Sequence, residues 1–255
     1  MTIKIFLLKP LERQIRVYAS QFSFLKDHMI AVIIGATGLV GNTLLARIIE
    51  SEQYSKVLVI GRSEPNLVEH QFGAEKVQFI DSQLDELHEL TLADKVDHAF
   101  CCLGTTIKQA GSEEAFIQVD KLAVLAFAKL CQTQANPSLK FMVVTSLGAD
   151  AKSSVFYNRI KGEVEQALKA LSLPVMNIFQ PSLLLGPRDN RRLLEDIGQT
   201  ILGGLSFLFI GPLRQYQPID AQMVAESMYQ VALKPQVAPT TQIITNAMMH
   251  HCHYS

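Results

Sequence analysis

From Ile30 onward, short apolar runs alternate with longer amphipathic stretches, the rhythm of repeated βαβ units around a parallel sheet. Strand-like runs fall at 30–35, 56–61, 76–81, 97–104, 140–146 and 174–180. Most are apolar at every position rather than at alternate ones, as strands covered by helices on both faces should be. Helical stretches lie near 39–51, 113–134 and 155–171. The second carries the helical period most clearly and is expected to turn Phe116, Val119, Leu122, Ala123, Ala126, Phe127 and Leu130 toward the core. After about residue 181 the alternation breaks down. Gly186-Pro187, Gly203-Gly204 and Gly211-Pro212 punctuate the apolar segments, which predicts a small lobe of loops and two or three helices over one sheet edge. The expected fold is α/β, a doubly wound parallel sheet with that lobe at its C-terminal end.

Length and charge narrow this picture. A chain of 255 residues predicts one large domain with a small addition. With 24 acidic against 23 basic side chains and no run of five like charges, the basic footprint of a nucleic-acid binder is missing. Cys101, Cys102, Cys131 and Cys252 show no C-x-x-C spacing, so no metal site and no disulfide framework is expected, and a reducing, cytoplasmic setting fits. The longest apolar run, 201–213, contains two adjacent glycines and a proline and falls short of the roughly 20 residues of a spanning helix, so no transmembrane segment is expected. The first 28 residues stand apart. Their apolar stretch 3–8 is too short for a secretory core of about 7–15 residues, and their five basic side chains leave a mitochondrial presequence as the alternative to an accessory arm or an upstream start. The His- and Cys-rich tail 250–255 reads as a terminus rather than a ligand set.

The candidate chemistry begins at Gly35. Residues 35–41, GATGLVG, place glycines at i, i+3 and i+6 directly after an apolar strand and at the start of a helix. Such a turn brings backbone N–H groups close to a pyrophosphate, so Gly35, Thr37, Gly38, Leu39, Val40 and Gly41 are candidate dinucleotide contacts. About 20 residues further on, an NAD site carries an acid for the ribose 2′-hydroxyl. This chain has Arg62 and Ser63 after Gly61, which suit a 2′-phosphate and favour NADP(H). Asp81 ends the third strand where an adenine amino group would need an acceptor, with an Asx turn as the alternative reading. Leu103, Gly104, Thr105 and Thr106 follow the fourth strand beside the expected reversal of strand order.

Tyr157 and Lys161 lie four residues apart and therefore on one helical face. The spacing alone says little. Its placement says more, because Ser146 ends the fifth strand eleven residues earlier, at the carboxyl edge of the sheet.

Together, GATGLVG, GRS after the second strand, CCLGTT after the fourth, TSLGADAKSSVFYNRIKGEVE around the Tyr–Lys pair and QPSLLLGPR after the sixth resemble the short-chain dehydrogenase/reductase superfamily. More narrowly, they are similar to its atypical branch of the Tat-interacting oxidoreductase and its bacterial relatives, from about residue 29 to about 247. The resemblance implies a Rossmann-like fold, and with the pattern of the chain it gives three parts: an N-terminal extension 1–28 that the resemblance does not cover, an NADP(H)-binding domain 29–182, and a C-terminal lobe 183–255 over the substrate pocket, integral with the same fold. It also implies roles. Tyr157 would be the general acid or base at a carbonyl oxygen, and Lys161 would lower its pKa and hold the nicotinamide ribose. Ser146, or the adjacent Thr145, would hold the substrate oxygen. Pro181, Ser182 and Leu183 would contact the nicotinamide. A free phenol near pKa 10 needs such a cation to be poised at neutral pH.

One departure stands out. Gln180 precedes Pro181 where the family commonly has arginine, so an ion pair or the approach to the pocket is altered. Arg188, Arg191, Arg192 and Arg214 could meet an anionic substrate, and 201–210 reads as core or lid packing. Two functions follow. The first is an NADP(H)-dependent oxidoreductase acting on a small carbonyl/alcohol substrate as a monomer or homodimer; the alternative is an NADPH-binding regulatory or scaffold protein. A nucleotide-sugar epimerase shares the residues but usually carries a larger C-terminal domain.

Overall fold

A computed structural model describes residues 28–67, 72–186 and 215–251. Its centre is a seven-stranded sheet of β1 (Met29–Ile34), β2 (Tyr54–Gly61), β3 (Val77–Asp81), β4 (His98–Cys101), β5 (Lys140–Val144), β6 (Val175–Gln180) and β9 (Thr240–Thr245). The spatial order is β3-β2-β1-β4-β5-β6-β9, with every pair parallel. The order reverses between β1 and β4, which opens a crevice at their carboxyl ends. A short parallel pair, β7 (Leu184–Leu185) and β8 (Ile219–Asp220), lies outside the main sheet.

The six apolar runs of the sequence are six of the seven strands, β1 to β6, with ends that differ by at most three residues. The fully apolar stretches Ala31–Ile34 and Val57–Ile60 are buried because helices cover both faces. On one face, α1 (Leu39–Ile49) packs against α6 (Ala221–Leu233). Arg47 joins them, donating to Glu226 at 3.0 Å while its guanidinium stacks 4.0 Å from the Tyr229 ring centre. The opposite face is filled by α4 (Val124–Thr133) and α5 (Phe156–Ala170), with Phe127, Phe141 and Leu168 fully buried between them and the sheet.

Two expectations change. The chain from residue 219 does not form only a lobe over an edge: β9 joins the sheet beside β6, and α6 belongs to its helical layer. The strand escaped notice because it is an edge strand. Among Thr240, Thr241, Gln242, Ile243, Ile244 and Thr245 only Ile244 is buried, so no apolar run marks it. The second change concerns the helix expected over 113–134. It is continuous but mixed: α3 (Glu113–Ile117) passes through a π-helical turn, Gln118–Ala123, into α4. The widened turn alters which side chains face inward. Phe116, Ala123, Phe127 and Leu130 are buried as expected, whereas Leu122 is exposed, Val119 and Ala126 are half-buried, and Asp120 is completely enclosed.

Candidate functional site

At the carboxyl edge, the chain leaves β1 at Gly35 with φ +81°, a left-handed conformation suited to glycine. A Cβ there would lie 2.7 Å from the backbone carbonyl of Cys102, so the glycine turn and the end of β4 are in close contact at the order reversal. Gly41 is tighter still. Its Cβ would sit 2.1 Å from the Gly35 oxygen, which lets the turn fold back on the first helical turn. Gly38 caps α1 with extended backbone and no side-chain acceptor, and its own N–H donates to Gly35 O at 3.0 Å. Thr37 and Gly38 are exposed, Leu39 is half-buried, and Val40 and Gly41 are buried. An eleven-residue helix therefore begins at the crevice with a glycine N-cap that makes no side-chain cap hydrogen bond, an arrangement suited to receiving an anion.

Arg62 and Ser63 follow β2 and are exposed, as is Asp81 at the end of β3, paired in register with Gly61. The three stand together on the side of the glycine turn where an adenosine would extend. Leu103 and Gly104 leave β4. Thr105 donates its N–H to Asp120 Oδ2 at 3.0 Å, and Thr106 caps the four-residue α2 (Ile107–Ala110) through a reciprocal box with Gln109.

Asp120 is the residue that the sequence reading missed. Its Oδ1 lies 2.7 Å from Lys161 Nζ, with side-chain exposures of 0% and 4%. Burial is the largest single influence and opposes the charge on Lys161, but Asp120, Tyr157 and Cys101 together outweigh it and hold the ammonium above the ordinary lysine range. The missed signal was a carboxylate four residues after Phe116, on the stripe that the helical period turns inward. Tyr157 is half-buried one turn before Lys161; its ring packs 5.5 Å from that of Phe116, and Lys161 Nζ lies 6.0 Å from its centre. Gly104 completes this corner, since a Cβ on it would come within 4.0 Å of Lys161 Nζ.

Ser146 lies two residues beyond β5. It is 8% exposed, and its Oγ has no hydrogen-bond partner among the described residues. A buried hydroxyl left open in this way suits an oxygen that arrives with a ligand. Thr145, the substitute considered for it, is committed elsewhere: its hydroxyl donates to Glu165 Oε1 at 2.7 Å. The same oxygen accepts from Gln180 Nε2 at 2.8 Å.

Pro181 accepts from the Leu147 N–H at 2.8 Å, which holds the Ser146 segment beside the end of β6. Ser182 donates its N–H to Asn246 Oδ1 and its hydroxyl to Gln217 O, so both donors are used within the protein. Leu183 accepts from Ile219 N–H at 3.0 Å. Asn246, fully buried at the start of α7 (Asn246–His251), ties this segment to 215–217. Arg188, Arg191, Arg192, Arg214, the 201–210 stretch, residues 1–27 and Cys252 lie outside the described residues. Among the described residues there is no group of three metal-ligating side chains and no helix long and apolar enough to cross a membrane. Burial pushes the Cys101 thiol up to about 12 and those of Cys102 and Cys131 well above their usual value, which disfavours their thiolate forms.

Residues 30–123 match the family model of the semialdehyde dehydrogenase NAD-binding domain. The chain is 34% identical over 174 residues to protein HTATIP2 of Rattus norvegicus, covering 68% of this chain and 70% of that one. It is 30% identical over 189 residues to the mitochondrial protein FMP52-1 of Scheffersomyces stipitis, covering 72% and 79%. Among solved structures, ElxO with NADP bound superposes with a TM-score of 0.62 at 13% identity, covering 88% of this chain and 99% of that one. A short-chain dehydrogenase/reductase of Mycobacterium ulcerans does so with 0.63 at 15% identity, covering 87% and 90%.

Proposed function

Because the chain belongs to the atypical short-chain dehydrogenase/reductase family, in the branch of HTATIP2 and the fungal FMP52 proteins, we propose that it is an NADP(H)-dependent oxidoreductase of a small carbonyl/alcohol substrate. A Rossmann-type nucleotide-binding fold with oxidoreductase neighbours is the frame for this reading. The observation that carries it is the combination of a buried Ser146 hydroxyl, without a hydrogen-bond partner among the described residues, with a Tyr157 backed by the enclosed ammonium of Lys161. A site without chemistry has no need to enclose a cation behind a phenol.

The residues fit a nicotinamide dinucleotide. Gly35 to Gly41 would hold its pyrophosphate at the glycine-capped start of α1, Arg62 and Ser63 the adenosine 2′-phosphate, and Asp81 the adenine amino group. Leu103 to Thr106 would line the nicotinamide side, together with Pro181, Ser182 and Leu183 through their remaining backbone and apolar surface. When bound, the cofactor supplies or accepts the hydride. Everything else falls to the protein. Ser146 donates to or accepts from the substrate oxygen, and Tyr157 Oη delivers its proton there in reduction or takes it in oxidation. Lys161 has three N–H donors; one is used at Asp120, which leaves two for the cofactor ribose.

The segment 183–255 closes the substrate side in this reading, with Asn246 and Ser182 fixing where it departs from the sheet. We place the protein in the cytoplasm, while its fungal relatives carry the word mitochondrial in their names. The decisive experiment is a panel of aldehydes and ketones with NADPH, followed by Tyr157→Phe. Turnover lost by a hundredfold or more in that variant supports the reading. Turnover retained would refute the role of Tyr157. Tight NADPH binding without any turnover would instead favour the regulatory or scaffold alternative.

A further inference from the structure

Tyr157 is the second residue of α5, which decides how its ring can be held. Inside a helix an aromatic side chain leans back over the turn that precedes it. Before Tyr157 there is no such turn, only Phe156, the N-cap Val155, which is 56% exposed, and the loop from Ser146. Its Oη has no hydrogen-bond partner among the described residues, so the hydroxyl does not anchor the ring either. Lys161 Nζ lies 6.0 Å from the ring centre and is tied to Asp120. The wall must come from another element.

That element is α3. Phe116 is fully buried and sets its ring 5.5 Å from that of Tyr157, tilted by 49°, and 5.8 Å from that of Phe156, tilted by 58°. Aromatic pairs at such separations and tilts attract each other beyond the area they bury. Each neighbour is itself fixed. Phe156 lies 5.6 Å from the Arg159 guanidinium, which also donates to Ser153 O, and α3 starts from a Ser112 hydroxyl that accepts the Ala115 N–H at 3.1 Å. The helical period of the sequence accounts for an apolar residue at 116 but not for an aromatic one, since leucine would fill a core stripe equally well.

From this we infer that Phe116 is a positioning residue of the site: its ring sets the orientation of the Tyr157 phenol, and hence the direction in which Oη meets a substrate oxygen. The inference rests on the role given above to Tyr157. A leucine at 116 has no flat face and turns about its own bonds, so the phenol gains freedom while the core stays largely filled. The link also reaches the cofactor side. Leu103 to Thr106 lead through α2 into α3, so the segment that would line the nicotinamide and the wall behind the phenol belong to one continuous stretch of chain.

The test reads the ring directly, by NMR of the whole protein with ring-labelled tyrosine, assigning the Tyr157 signals by their disappearance in Tyr157→Phe. The native ring should show Overhauser contacts to the Phe116 ring and to the Lys161 side chain. In Phe116→Leu the Tyr157 signals should shift and the contact to Lys161 should weaken. Those of Tyr54, at the start of β2, and of Tyr229, bonded to Ser51, should stay in place. Unchanged Tyr157 signals with an unchanged Lys161 contact would overturn the inference, and so would a shift shared with Tyr54 and Tyr229, which marks a general loosening of the core. If Phe116→Leu is insoluble, Phe116→Met takes its place with the same expectations, and absence of the native contact between the two rings refutes the proposal in any case. Where turnover is found, Phe116→Leu should lower kcat by about ten- to a hundredfold, the loss that a misaligned reacting group brings, with KM and NADPH affinity unchanged. A loss confined to KM would refute it. The ring measurements need no turnover, so a protein inactive on every carbonyl would sink the oxidoreductase reading and leave this inference to be decided by them.

Discussion

Gln180 Nε2 donates to Glu165 Oε1 at 2.8 Å, across the junction between the end of β6 and the middle of α5. The same oxygen accepts from Thr145, the residue before Ser146, while Lys169 approaches the other oxygen only to 3.8 Å. The departure noticed in the sequence, glutamine where the family commonly has arginine, thus falls on the support behind Ser146. A buried carboxylate is held by two neutral donors and one partly exposed ammonium.

Removing one of those donors should be felt in stability. Gln180→Ala leaves Glu165 with a single close hydrogen bond, and the expected loss is about 1–3 kcal/mol, the range for stripping a buried polar group of a partner. Urea unfolding of the two proteins measures it. Equal midpoints would mean that Lys169 or water replaces the amide without cost.

Gly162 tests the fit of the loop that follows Ser146. A Cβ on it would lie 2.1 Å from the backbone nitrogen of Ala151 and 2.2 Å from the carbonyl carbon of Asp150. Backbone cannot yield as a flexible side chain can. Gly162→Ala should therefore lower the thermal midpoint by several degrees and reduce NADPH affinity, because α5 must move away from the loop between Ser146 and Tyr157. Calorimetry and fluorescence titration read the two effects.

Arg62 is exposed after β2, where only a ligand phosphate would use its guanidinium in the proposed pose. Arg62→Ala should weaken NADPH by roughly ten- to a hundredfold, the worth of a charge-assisted hydrogen bond, and leave NADH unchanged. Equal losses for both cofactors would show that Arg62 does not read the 2′-phosphate. Parallel titrations with the two cofactors suffice.

A pH dependence should arise far from the site. His98 is buried at the start of β4 with its Nδ1 2.6 Å from Tyr54 Oη, and burial, aided by Lys140, pushes its pKa down to about 3. The unfolded chain binds a proton near pH 6.5, whereas the folded one resists it until about pH 3. Stability from this group is therefore complete above about pH 6.5 and is lost as the pH falls toward 3, by an amount on the order of 5 kcal/mol. Unfolding free energies measured through that window should show the slope in the native protein. It should flatten in Tyr54→Phe/His98→Leu, which removes both the titrating group and its partner; an unchanged slope would assign the acid sensitivity to carboxylates instead.

The glycine turn, the six apolar strands and the Tyr157–Lys161 spacing were legible because each is local. A turn that needs glycine, a strand covered on both faces and two side chains one helical turn apart all leave marks within a few residues. β9 left no such mark, since an edge strand buries little and Ile244 is its one enclosed side chain. The commitment of Thr145 to Glu165, which leaves Ser146 as the open hydroxyl, also depends on residues from β5, α5 and β6 meeting.

By itself, then, the sequence determined the parallel α/β sheet, the place where its order reverses and the residue types that reach that edge, because periodicity and turn chemistry act over short stretches of chain. The tertiary structure decided which of those groups face one another. Asp120 drew no notice in the sequence, although it falls on the inward stripe four residues after Phe116, until the fold set it against Lys161 and the Thr105 N–H, and Gln180 read as a missing arginine until Glu165 was found opposite. Pairings of this kind are made by packing between elements 15 to 41 residues apart in the chain, a distance over which no local pattern carries information.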